Sequence, residues 1–222
     1  MQRSQRSNGS WMPDSVVEAA PIVYDGPDFG WSLFQLIVQN IDNRIGAKTG
    51  DLVATLAFVA GRVVQRATFR ESPQSFRFDV SASGMSFLRS DIVTDKLGSL
   101  TPGTLASTLV EASMFAGARR FPEIVLVKHE AQEAMQRRGG AVLRGHDLSA
   151  HPRALAQQVQ DDVDGLLFDA ADRHALVRSS IRACGHALGY QRSRLCPAEA
   201  AELALSVALY GGWLDQRESL RH

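Results

Sequence analysis

At 222 residues, 45% hydrophobic and 22% charged, the chain is long enough and apolar enough for one sizeable core, and wholesale disorder is excluded. Lys plus Arg equals Asp plus Glu at 24 each, so no overall field recommends nucleic acid or an anionic membrane as a partner. No apolar run approaches the roughly 20 residues that span a bilayer, and two cysteines outside any Cys-x-x-Cys spacing point to a reducing, cytoplasmic setting.

Met1 to Asp14 is rich in Gln, Arg, Ser and Asn, has no apolar h-region, and reads as a flexible tail before a single α-rich domain over residues 15–222. From Trp31 a helical face appears in Leu33, Phe34, Ile37, Ile41 and Ile45, and Gly46 ends it. Thr49 or Asp51 then caps a second helix carrying Leu52, Leu56, Val59, Ala60, Val63 and Ala67; the short connection predicts an antiparallel helical hairpin. After Pro73 the period falls to two. Phe76, Phe78 and Val80 alternate with Arg77 and Asp79, Met85 and Phe87 alternate beyond Ser83-Gly84, and a β-hairpin is predicted at about 76–88. Because a lone two-stranded ribbon is marginal in water, its Phe face must rest on helices or on a partner subunit's strands.

Ser90 or Asp91 starts a short helix ending at Gly98, and Thr101-Pro102 opens a fourth with Leu105, Leu109, Ala112, Phe115 and Ala116 on one face. Pro122 opens a fifth through Ile124, Val127, Lys128, Ala131 and Met135, ended by Gly139-Gly140, and Cys196-Pro197 opens an Ala-rich last helix toward Trp213. Between them lies the longest periodic run, Ser149 to Arg194, which looks like the element that organises the chain. Leu155, Val159, Val163, Leu166, Ala170, His174, Val177, Ile181, Cys184 and Leu188 recur at steps of three or four, with Ser149 as N-cap, Pro152 in the first turn and Gly189 as the residue after the end. The run is either one long helix or a pair broken near Phe168 to Asp172, with Asp169 or Asp172 capping the second. Five acids (Asp161, Asp162, Asp164, Asp169, Asp172) precede five bases (Arg173, Arg178, Arg182, Arg192, Arg194), so two copies packed antiparallel across a dyad would oppose unlike charges. The fold expected is mainly α and bundle-like with one small hairpin. The core expected includes Phe34, Ile37, Ile41, Leu56, Val59, Val63, Leu105, Leu109, Val163, Leu166, Val177, Ile181, Leu203 and Val207.

Four segments together carry a resemblance: Leu33-Phe34-Gln35-Leu36-Ile37-Val38, Ala60-Gly61 with Val64-Gln65, Phe87-Leu88-Arg89-Ser90-Asp91, and Ala116-Gly117-Ala118-Arg119-Arg120-Phe121-Pro122. In feature order over roughly residues 30 to 125 the chain resembles a group of mostly helical bacterial proteins of unknown function. That resemblance implies an α-rich architecture and transfers no site.

No complete catalytic set is present. The best anion candidate is Arg137-Arg138-Gly139-Gly140 with Arg144 and His146, since Gly lets backbone N–H groups approach a phosphate and Arg binds it bidentately; the plainer account is a helix C-terminus capped by glycine. His146-Asp147 with His151, and His174 by folding back, is the densest metal-like cluster, but such a hydrolase site needs more ligands than these. His129 with Glu133 lacks the second imidazole of a zinc helix and reads as a solvated pair. Cys184-Gly185-His186 places its thiol on the apolar stripe, as a structural cysteine. The sequence therefore favours a non-enzymatic protein that self-associates, expected as a homodimer, and binds a partner, with no cofactor. A binder of a small anionic ligand and a metal-dependent hydrolase stand as alternatives.

Overall fold

The run Leu52 to Ala60 contains one polar residue, Thr55, whose hydroxyl donates to the Asp51 carbonyl at 2.7 Å. It offers solvent no hydrophilic stripe and must be enclosed on all sides. In the computed structural model, which describes residues 29–42, 46–82, 84–120, 122–138, 148–161, 163 and 172–215, that run is the middle of the second helix. The order is α1 (Phe29–Ile37), a π-helical turn Val38–Asp42, α2 (Thr49–Glu71), a 3-10 turn Pro73–Ser75, β1 (Arg77–Val80), β2 (Ser86–Arg89), α3 (Asp91–Gly98), α4 (Leu105–Phe115), α5 (Ile124–Arg138), α6 (Pro152–Gln157), α7 (Arg173–Gln191) and α8 (Pro197–Trp213). The fold is mainly α with one small antiparallel hairpin, as the sequence predicts.

The hub differs from the expected one. Every residue of α2 from Gly50 to Gln65 is buried, and its most extensive partner is α8, buried from Leu203 to Trp213 except at Ser206. The two backbones approach closely because glycine and alanine line the crossing: a Cβ on Gly61 would lie 2.1 Å from the Ala208 carbonyl oxygen. Around this pair, α7 and α6 pack on α2, α4 on α7 and α8, α5 on α8, and α3 on both α8 and α2. Helices α6 and α7, which belong to the Ser149 to Arg194 stretch, are thus part of the shell. By length and composition α2 could cross a membrane, contrary to the expectation that no run is long enough, yet 89% of its most apolar window is buried inside the fold.

Polar groups on α2 are used to tie distant segments down. Asp51, 1% exposed, accepts from the Lys48 N–H at 2.9 Å, from the Ser149 N–H at 2.8 Å, and from the Ser149 hydroxyl. Arg62 Nη1 donates to Gln65 Oε1 at 2.7 Å and to the Leu214 carbonyl at 2.6 Å, and Gln65 Nε2 donates to the same carbonyl at 2.9 Å. Burial first, and then the neighbouring Arg66 and Arg153, push the Arg62 guanidinium down to about 10.

Several expectations are corrected. Ser149 does not cap α6; His151 does, accepting from the Arg153 N–H at 3.3 Å, while Pro152 holds the first turn as expected. Asp172 caps α7, accepting from the His174 N–H at 2.8 Å, so a second helix begins there, as in the broken-pair alternative of the sequence. Gly189 lies inside α7, which runs on to Gln191. His174 sits in the first turn of α7 with its side chain 69% exposed, and Val177 is only partly buried. Helix α4 begins after Thr104, whose hydroxyl caps Ser107, three residues later than Thr101-Pro102 suggests. Its Phe115 is 91% exposed. Helix α1 packs chiefly on α7 and less on α2, so the expected helical hairpin is a minor contact. Leu166 and the tail Met1 to Asp14 lie outside the described residues. The other expected core positions are buried.

Candidate binding site at the hairpin

Of the sequence-predicted site residues, Arg137, Arg138, His151 and His174 lie among the described residues. Arg137 and Arg138 form the last turn of α5, and Gly139, Gly140, Arg144, His146 and Asp147 lie outside the described residues. His151 is occupied at the α6 cap with its ring edge-on to Tyr210, centroids 5.4 Å apart. His174 Nε2 stands 3.7 Å from Glu71 Oε1. Among the described residues no group of three His, Cys, Asp or Glu side chains is placed to hold a metal ion. His129 and Glu133 form the exposed pair expected, 3.9 Å apart. Cys184 donates to the Ser180 carbonyl at 3.4 Å, and burial pushes its thiol up to about 12, which removes the thiolate a nucleophile needs. His186 turns instead to an aromatic group, 5.5 Å from the Trp31 ring and 6.1 Å from Phe34. Of the five acids of the segregated stretch, Asp172 is used within the chain, as a cap and 3.7 Å from Arg178. Its carboxyl is held low by hydrogen bonds from the backbone N–H groups of Ala175 and His174.

The hairpin gathers what the sequence reading scattered. Its register pairs Arg77 with Arg89, Phe78 with Leu88, Asp79 with Phe87 and Val80 with Ser86. Opposed residues share a face, so Arg77, Asp79, Phe87 and Arg89 look one way and Phe78, Val80, Ser86 and Leu88 the other. Phe87 is driven into the core, 4% exposed, and makes an antiparallel bridge with Leu214 while the Asp215 N–H donates to the Ser86 carbonyl at 3.2 Å. Strand β2 is therefore flanked on both sides, by β1 and by the chain after α8. Strand β1 has one strand neighbour among the described residues, and all four of its residues are exposed, Phe78 at 59% and Val80 at 58%.

On the inner face a cleft of about 360 Å³ opens between the hairpin, α5 and the end of α8. Phe87, Met135 and Trp213 line its apolar part; Asp79, Arg89, Gln132 and Gln136 supply its polar part. Arg89 spans the two, its Cζ 5.5 Å from the Trp213 ring centroid and its Nη1 3.7 Å from Asp79 Oδ2. Across the strand Arg89 opposes Arg77, a like charge, so this face carries two guanidinium groups to one carboxylate. No His or Cys is among the residues that line the cleft. A second, larger groove of about 780 Å³ lies where the segment after α4, helix α5 and the start of α8 meet. There the Glu202 carboxyl is pushed up, by burial first and then by Glu199, Glu130 and Glu123.

The convergence of Phe87, Met135 and Trp213 has no local signature, because three elements far apart in sequence supply them. The alternating pattern at 76–80 was the available signal; it gave the strand but not which of its faces is open. Compared with known proteins, the chain matches no family model, no curated protein and no solved structure.

Proposed function

We propose that the protein works by association rather than by catalysis, and that a second copy of this chain docks on the hairpin. The observation that carries the reading is β1 itself: a strand with one strand neighbour among the described residues, exposing Phe78 and Val80 by more than half. An open edge with apolar side chains is a template for another strand, and proteins that avoid such pairing place Lys, Pro or a covering element there. Residues 77–80 contain no Lys or Pro, and their two charges, Arg77 and Asp79, are of opposite sign and so can pair with a second copy of the strand. The hairpin also fits the need of a two-stranded ribbon for more sheet or more cover. The charge-segregated stretch is the weaker interface, since Asp172 and Arg178 already face each other within one chain. The balance of 24 acids and 24 bases favours a protein partner over nucleic acid or membrane, and two unbridged thiols suit a reducing, cytoplasmic setting.

Light scattering at tens of micromolar tests this. The wild type is expected at twice the 24.2 kDa chain mass, Val80→Lys at or near the single mass, and Arg178→Glu with Arg182→Glu unchanged. A monomeric wild type, or a Val80→Lys protein that dimerises as before, removes the proposal.

A further inference from the structure

We infer that two copies join β1 to β1 antiparallel, with Phe78 opposite its own copy on the two-fold axis, to give a continuous four-stranded sheet. This rests on the self-association reading above and adds its geometry.

Residues 76 to 80 read Phe-Arg-Phe-Asp-Val. The strand covers Arg77 to Val80, and Phe76 is extended too, with φ −95° and ψ 137°. When such a segment meets its own copy antiparallel with Phe78 at the centre, Arg77 lies opposite the partner's Asp79 and Phe76 opposite the partner's Val80, each pairing occurring twice. Every cross-strand pair is then apolar with apolar or basic with acidic. No other register does this. A slip of one residue sets Asp79 or Arg77 against the partner's Phe78, because the side-chain period is two. The next symmetric registers put Asp79 against the partner's Asp79, or Arg77 against the partner's Arg77. A parallel, in-register pairing opposes both like charges at once. The segment is self-complementary only about Phe78, which is the requirement of a two-fold interface.

The surroundings agree with this register. Within its own hairpin Arg77 stands opposite Arg89, and the partner's Asp79 would bring the missing carboxylate to its other side. Asp79 keeps its diagonal pair with Arg89 while it faces the partner's Arg77, so each carboxylate sits between two guanidinium groups. Phe76 is backed by Phe69, ring centroids 5.2 Å apart, which widens the apolar seat for the partner's Val80. Beyond Val80 the chain turns away: the Ser81 N–H bonds the Met85 carbonyl and the Ala82 N–H bonds the Gln136 carbonyl of α5. The open edge ends where the self-complementary segment ends.

Single-cysteine cross-linking reads the register directly. The background is Cys196→Ser, because Cys196 is exposed and Cys184 is buried. With glutathione disulfide as oxidant, Phe78→Cys is expected to form a covalent dimer at least tenfold faster than Arg77→Cys or Asp79→Cys alone, while Arg77→Cys with Asp79→Cys together recovers the fast rate. Since Phe78→Cys also removes an interface ring, charge variants give a separate measure. Arg77→Glu should raise the dimer dissociation constant about tenfold or more by sedimentation, and adding Asp79→Lys should restore most of it. A dimer that survives Arg77→Glu and shows no preference for position 78 overturns this register while leaving self-association intact. A monomeric wild type overturns both.

Discussion

Asp51 is the third residue of α2 and nearly solvent-free, and what keeps a carboxylate there is its partners: two backbone N–H groups and a hydroxyl, two of the three from Ser149. The residue is as much a clasp between α2 and the approach to α6 as it is a helix-start signal. Asp51→Ala removes the acceptor of two N–H groups and a hydroxyl on residues that themselves reach solvent, and is expected to cost about 1 to 2 kcal/mol in urea denaturation. A cost below about half a kcal/mol would mean that water replaces the carboxylate at no loss. The thiols make a second residue-scale contrast. Cys184, pushed up to about 12 by burial, stays protonated and enclosed at pH 8, whereas Cys196 is exposed. A thiol reagent should therefore titrate one cysteine per native chain and the second only on unfolding; two fast thiols in the native state would contradict this packing.

At the scale of elements, the helices with one wet face could be read from the sequence and the two most important helices could not be ranked. Periodicity reports a boundary between core and solvent and not rank: the 149–194 run repeats for longest, whereas α2 and α8, enclosed over 50–65 and over most of 203–213, form the centre. Phe115 fell on a predicted apolar stripe and is 91% exposed, whereas Ser113 two residues before it is fully buried, so α4 meets the core through another side of its last turn. The hairpin was legible through its period of two. Its open edge was not, since strand alternation looks the same whether the second face is covered or bare. Glycine separates the cases experimentally. Gly61→Ala, with a carbonyl oxygen 2.1 Å from the new methyl group, forces α2 and α8 apart and is expected to cost 3 kcal/mol or more, at or beyond the top of the usual range of about 1 to 3 for overpacking. Gly189→Ala, inside α7 with nothing within 4 Å, is expected to stabilise by about 0.5 to 1 kcal/mol by restricting the unfolded chain. Equal effects at the two sites, measured by thermal unfolding, would mean that the α2–α8 crossing is looser than drawn.

For the whole molecule, an interface with two Arg77–Asp79 pairs at its rim and a Phe pair at its centre should weaken with salt, but modestly, since exposed pairs contribute only about 0 to 1 kcal/mol each and are screened within about 10 Å at 0.1 M. Sedimentation at 50 and 500 mM NaCl should show the dimer dissociation constant rising a few-fold; no change would leave those charges outside the contact. The placement of α8 has a different consequence, for synthesis rather than for the finished fold. Gln65 and the Leu214 carbonyl it holds are 149 residues apart, and α2 has no other cover comparable to the last helix. At about 5 to 20 residues per second, the ribosome exposes the apolar run at 52–60 of α2 for about seven to thirty seconds before its mate is made. Nascent chains of this protein should therefore be held by general chaperones until the end of translation. A chain stopped before Pro197 should stay chaperone-bound or precipitate, rather than fold into a smaller version of the same core.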